Sequence, residues 1–298
     1  MPDAPASFTS ANAAVTSMLK ERATALEDIL GADVLFYRGP LYRPCDGMIR
    51  NAIEARTPKK GKLVFLLETD GGSLEVVVRI VETVRHHYPE YVEFIIPDFA
   101  YSAGTVLALS GNEIYMDYFS VLGPTDPQDE VEGRPIPVLG YLESYDELME
   151  KANMPDGVCS AELAIILQFD QARLRMYRHS RDMATDLLKD WLPKYKFKHW
   201  NETETHKESV TPEKKEQRAT EIAEKLSATK KWRSHGRGIS RAVLEEDVDL
   251  KIKDFGEDEK LRAAIRSYND LLLDFAGRVN LYAFVHTPSG FTLPYGLM

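Results

Sequence analysis

The stretch Glu68-Thr69-Asp70-Gly71-Gly72-Ser73-Leu74 follows the apolar run Leu63-Val64-Phe65-Leu66-Leu67 and leads into a helical pattern. Thirty residues past Gly72, Ser102 holds an equivalent place in Ala100-Tyr101-Ser102-Ala103-Gly104-Thr105, again between strand-like and helix-like residues. A Gly-Gly pair after a strand lets backbone N–H groups turn toward a ligand, because glycine reaches conformations closed to other residues. A serine at the next such junction carries its hydroxyl at a helix N-terminus, where negative charge is favoured. Taken in order, one strand–helix–strand unit apart, the two turns supply an oxyanion-binding element and a nucleophile, the two needs of acyl transfer.

Outward from these turns the chain alternates. A helix is expected over about 11–30, after a start at 1–10 that reads as disordered. Asp33 to Tyr37 reads as the first strand. The run Leu63 to Leu67 is apolar throughout, as a strand buried on both faces requires. Leu74, Val77, Val78, Val81, Val84 and Tyr88 mark one side of a helix over about 74–88. Val92 to Ile96, a small-residue helix from Ser102 to Leu109, Ile114 to Met116 and Val121-Leu122 continue the pattern to the turn Gly123-Pro124-Thr125-Asp126-Pro127. Such alternation implies right-handed crossovers and an α/β core.

Beyond about residue 140 the pattern turns helical. One long helix is expected over about 160–192, with Ala164 to Leu167 as a core-type piece. Asn201 to Arg218 reads as a solvated helical excursion. A short helix from Ser240, a strand at Val248 to Ile252 and an amphipathic helix through Leu261, Ile265, Tyr268, Leu272 and Phe275 follow. The tail Phe284 to Met298 is rich in aromatic residues and is expected to pack on the body or on a neighbour. The implied organisation is a tail and helix at 1–32, a core at 33–140, a helical insertion at 141–230 and a closing element with tail at 231–298.

With 298 residues, 44% hydrophobic and 28% charged, the chain can bury a sizeable core. A formal net charge of −10 argues against nucleic acid or an anionic membrane as partner. No run has the length of a membrane span, so no integral anchor is expected. Cys45 and Cys159 show no metal-type spacing and read as reduced thiols of a cytoplasmic protein. His86-His87 lack the i, i+4 pair of a zincin helix. No metal or organic cofactor is implied.

Four pieces together carry a resemblance: Thr-Asp-Gly-Gly-Ser at 69–73, Tyr-Ser-Ala-Gly-Thr at 101–105, Leu-Gly-Pro-Thr-Asp-Pro-Gln at 122–128 and Ser-His-Gly-Arg-Gly-Ile-Ser at 234–240. Residues 33–128 and 231–252 resemble the Clp-fold serine peptidases, a superfamily that includes signal peptide peptidase A and, by fold, the crotonases. The nearest likeness is to the serine dehydrogenase proteinase family. The resemblance implies a ClpP/crotonase-like α/β spiral of strand–strand–helix units with a helical insertion. It further implies a serine endopeptidase that acts on peptide or unfolded protein and forms a homo-oligomer, with the insertion as a candidate contact. Ser102 would be the nucleophile, and the oxyanion hole would be built at Gly71, Gly72 and Ala103, with Gly72 and Ala103 donating.

The base is less regular. Where Clp-type peptidases carry a histidine after the serine, this chain has Asp126, and it carries His235 where they have an aspartate. A Ser102–His235–Asp126 triad with base and orienter exchanged is coherent, because a triad is defined by geometry and roles. A Ser–Lys dyad is the rival, with Lys151 first and Lys194, Lys196 and Lys198 further on; a catalytic lysine must be desolvated to lose its proton near neutral pH. Ser102 as a mere N-cap, Asp126 as a turn residue and His235 as a turn bridge are the bland readings. Two other functions fit the same turns: an acyl-CoA enzyme of crotonase type, and an inactive scaffold that binds peptides or partners.

Overall fold

Strands that are apolar on both faces need cover on both, and the chain supplies it from its two ends and its middle. The computed structural model describes residues 10–131, 134–203, 207–232 and 234–294, so most of the expected disordered start and the last four residues of the tail lie outside the described residues. In chain order come α1 (Ala11–Leu30), β1 (Asp33–Arg38), α2 (Cys45–Glu54), β2 (Lys62–Glu68), α3 (Leu74–His87) and β3 (Tyr91–Ile95). Then follow β4 (Phe99–Ala100), α4 (Ala103–Ala108), β5 (Glu113–Met116), β6 (Val121–Leu122), β7 (Gln128–Val131) and β8 (Arg134–Pro137). The helical part holds α5 (Val138–Ala152), α6 (Ser160–Ile166), α7 (Gln171–Trp191), a π turn at Leu192–Lys196, α8 (Pro212–Ser227) and α9 (Thr229–Trp232). The chain closes with β9 (Ile239–Ser240), α10 (Arg241–Glu246), β10 (Lys253–Asp254), α11 (Glu259–Arg278), β11 (Phe284–Thr287) and β12 (Gly290–Thr292).

The main sheet runs β10-β5-β3-β2-β1-β11-β12. The pairs β1–β2, β2–β3, β3–β5 and β5–β10 are parallel, and β11 joins β1 antiparallel. Strand periodicity divides the core: Leu35, Tyr37, Leu63, Phe65 and Leu67 face α2, α3 and α4, while Val34, Phe36, Val64 and Leu66 face α1 and α11. The result is a mixed α/β architecture with the sheet between helical layers. A second sheet, β4-β6-β9, stands beyond the C-terminal ends of β2 and β3.

Several expectations need correction. The helix expected over 160–192 is two, because Asp170 accepts from the N–H groups of Ala172 and Arg173 and so caps a new start. Leu163, Ile165 and Leu167 are exposed, so Ala164 to Leu167 is no core piece. Among the described residues Asn201 to Thr211 is not helical; Thr211 caps α8. Val248, Leu250 and Ile252 are buried as a strand would bury them, but Asp249 sits at φ 58, which no strand accommodates, and pairing begins only at Lys253. The aromatic tail packs on the body by adding β11 and β12 to the sheet edge.

Candidate active site

The two turns that open the sequence meet because β2 and β4 run on into each other's company. Thr69 and Ala100 form a parallel bridge: the Thr69 N–H donates to Phe99 O at 3.2 Å and the Tyr101 N–H to Thr69 O at 2.9 Å. Gly104 makes the approach possible, since a Cβ there would lie 2.4 Å from Thr69 Cγ2. Ser102 immediately follows, at φ 54 and ψ −119. A non-glycine residue in that region costs on the order of 1–3 kcal/mol and persists only where the surroundings impose it. Its side chain makes no capping bond to α4, so the hydroxyl is not occupied as an N-cap.

Across the turn, Leu41 clamps the Gly-Gly pair. The Leu41 N–H donates to Gly71 O at 2.7 Å, and the Ser73 N–H donates to Leu41 O at 3.0 Å. Because ladder groups alternate sides, this leaves the Gly72 N–H directed away from Leu41. The Gly71 N–H is committed to Thr69 Oγ1 at 3.1 Å. Among the described residues neither the Gly72 nor the Ala103 N–H has an acceptor in the chain, the latter as the first residue of a helix. Ser73, as expected, is a helix cap: its hydroxyl accepts from Val76 N–H.

His235 and Asp126 are brought together by the small sheet. β6 and β9 are antiparallel with Leu122 opposite Ile239, and the same register carried four residues on sets Asp126 against His235. His235 Nδ1 lies 2.9 Å from Asp126 Oδ1. Gly238 permits this pairing, because a Cβ there would come within 2.8 Å of Val121. Trp232, buried, ties the approach to α8 by donating from its indole N–H to Lys225 O at 2.8 Å. Asp126 is only 2% exposed, and a buried carboxylate needs partners. Its second oxygen accepts from Gln128 Nε2 at 3.0 Å. With Nδ1 donating to the carboxylate, His235 Nε2 keeps its lone pair as an acceptor.

Ser102, His235, Gly71, Gly72 and Ala103 all line one cavity of about 460 Å³, with Thr125, Gln128 and Val106. No hydrogen bond joins Ser102 to His235 among the described residues. Ser180, Met183 and Ala184 of α7 close the far side.

A family profile described as ClpP-like SDH-type serine proteinase matches residues 45–207, just over half of the chain. The chain belongs to this family. Two uncharacterized proteins of Methanocaldococcus jannaschii are similar: MJ0137 is 38% identical over 80 residues and MJ1495 is 29% identical over 134. The first match takes in 27% of this chain and the second 45%. The chain spans only 27% and 41% of those relatives' own length. Two solved structures of a 1510-N membrane-bound stomatin-specific protease, one in complex with a substrate peptide, are 18% and 20% identical with TM-scores of 0.32. Each covers 40% of this chain, and 62% and 59% of the other.

In this chain the lysines stand apart from the serine. Lys151 is half exposed on α5 and bonds Glu162 at 2.5 Å, which raises its pKa, the reverse of what a base needs. Lys196 is desolvated and its pKa is lowered, yet it pairs with Glu113 at 3.5 Å in a different cavity, floored by Phe197 and Trp200. Lys194 and Lys198 do not line the Ser102 cavity. Among the described residues no group of three or more His, Cys, Asp or Glu side chains could hold a metal, and no helix is long and apolar enough to cross a membrane. The sequence reading missed Gln128, Leu41 and the α7 face. Gln128 closes the quoted Leu-Gly-Pro-Thr-Asp-Pro-Gln segment, and its spacing of two from Asp126 was the available signal; the others are tertiary.

Proposed function

We propose that this proteinase is a serine endopeptidase in which Ser102 attacks the scissile carbonyl, His235 takes its proton and Asp126 orients His235. The single observation that carries the reading is the 2.9 Å contact between His235 Nδ1 and Asp126 in the cavity that Ser102 lines. His235 Nε2 accepts the hydroxyl proton as the acyl bond forms and returns it to the leaving amine. The oxyanion accepts from the Gly72 and Ala103 N–H groups, neither of which has an acceptor in the chain among the described residues. Water then attacks the acyl-enzyme with His235 again as base, which regenerates Ser102.

The substrates are peptides or unfolded proteins, and the protein works in the cytoplasm as a homo-oligomer. Free Cys45 and Cys159 support a reducing compartment. The exposed apolar residues of α6 support an interface in the helical insertion. The test is turnover of denatured protein and labelling by a fluorophosphonate. Ser102→Ala is expected to lose both, with turnover down by several orders of magnitude; His235→Ala is expected to be nearly as damaging, and the double variant little worse than either. Full activity in Ser102→Ala, or in His235→Ala, would overturn the respective assignment.

A further inference from the structure

The face of α7 that reaches the Ser102 cavity is continuous with the face that anchors the helix in the core. Ser180, Met183 and Ala184 line the cavity, and Leu187, Leu188 and Trp191 continue the same i, i+3, i+4 stripe into the core. Leu188 is fully buried there, and toward the other end of α7 Leu174 and Tyr177 are buried against Val138, Leu139 and Leu142 of α5, so both halves of the helix are anchored while its middle lines the cavity. Val106, one turn into α4 from Ser102, meets the same space. Val106, Met183 and Ala184 thus bring apolar surface from α4 and α7 to the cavity that Ser102, Gly72 and Ala103 also line. Among the described residues no lysine or arginine lines the cavity, and the acidic ones that do, Asp70 and Glu75, belong to the Gly-Gly side.

We propose that α7 is the specificity wall of this site, with Met183 setting the size of an apolar subsite for the residue that donates the scissile carbonyl. The subsite takes an uncharged aliphatic side chain. A carboxylate or ammonium there would be desolvated against Val106 and Ala184 with no partner of opposite charge on the wall. Methionine suits the position, since its unbranched thioether adapts to aliphatic chains of different length. The proposal rests on the reading of Ser102 as the nucleophile.

The experiment compares kcat/KM on peptides that differ only at the residue before the cleaved bond: Ala, Leu, Phe, Lys or Glu. Fluorophosphonate labelling of Ser102 is followed alongside in every protein. The parent is expected to favour Leu over Lys and Glu by about 10–200-fold. Met183→Ala should move the optimum to Phe, and Met183→Phe should narrow it to Ala, by about tenfold each. Met183→Glu should raise Lys relative to Leu. A side-chain profile that stays the same across all three variants, while Ser102 still labels, overturns the proposal and leaves the nucleophile standing. A parent preference for Lys or Glu overturns it equally. A parent that neither labels nor turns over overturns both readings.

Discussion

Ser102 holds a backbone conformation that serine disfavours, and this divides its stability from its function. Ser102→Gly should raise the unfolding free energy by about 1 kcal/mol in urea melts while abolishing turnover, because glycine adopts φ 54 without strain. Ser102→Ala should gain nothing of that kind. Gly72 behaves differently. At φ 155 a Cβ would stand 2.5 Å from Leu41 O, so Gly72→Val must displace the clamp itself. Its melting temperature should fall together with its rate. Around Asp126, Asn at that position should lower kcat by about 10²–10⁴-fold with KM near the parent's, since tautomer and orientation are disturbed and the pocket is not. Gln128→Leu removes one acceptor interaction of the same carboxylate and should cost about tenfold in kcat, visible as a kcat effect and not a KM effect.

Among the elements, the two-residue strands β6 and β9 carry the greatest consequence for their size. Their register leads toward the contact between His235 and Asp126. Gly238→Val would press on Val121 at 2.8 Å and push β9 outward. A shift of about 1 Å at a catalytic group can cost 10²-fold, so activity should fall by about that factor while thermal unfolding moves far less. Unchanged turnover in Gly238→Val would show that β9 does not position His235. By contrast α6, an exposed helix with no buried residue, touches nothing in the site. Its apolar sequence looked like core only because hydrophobicity was read without knowing what lies opposite.

The molecule as a whole holds two buried groups whose titrations oppose each other. Burial pushes the Glu68 carboxyl up to about 7, against the pull of Arg38 at 3.1 Å and with Asp98 and Asp70 adding to the rise. The folded protein then binds this proton more tightly than the unfolded chain, so stability falls as pH rises from about 4.5 to about 7. His286 is fully buried beside Tyr268, with Nδ1 2.6 Å from the phenol oxygen, and burial pulls its pKa down to about 4. Here the unfolded chain binds the proton more tightly, so stability present above about 6.5 is lost as pH falls toward 4. Urea unfolding at intervals from pH 4 to 8 should therefore show a shallow profile in the parent. Glu68→Gln should give a curve that rises with pH, and His286→Gln one that falls with pH. Parallel curves in all three would deny the assignment.

The alternating strands and helices of an α/β core, and the place of a Gly-Gly turn and a serine turn one strand–helix–strand unit apart, were legible in the residues. Runs such as Leu63 to Leu67 fit only a strand buried on both faces, and Gly71, Gly72 and Gly104 permit approaches that no other residue permits. Local chemistry also fixed the helix start at Ser73, whose side chain bonds the first turn. What the residues could not decide was distance across the chain. His235 and Lys151 were open as partners for the serine because either type can serve as a base, and only folding separates them. An antiparallel register draws in the histidine, while a surface carboxylate holds the lysine charged on α5. The α7 wall, the added strands β11 and β12 and the buried segment around Asp249 belong to the same class. Each depends on which surface lies opposite, and that is a property of the packed molecule and not of the local sequence.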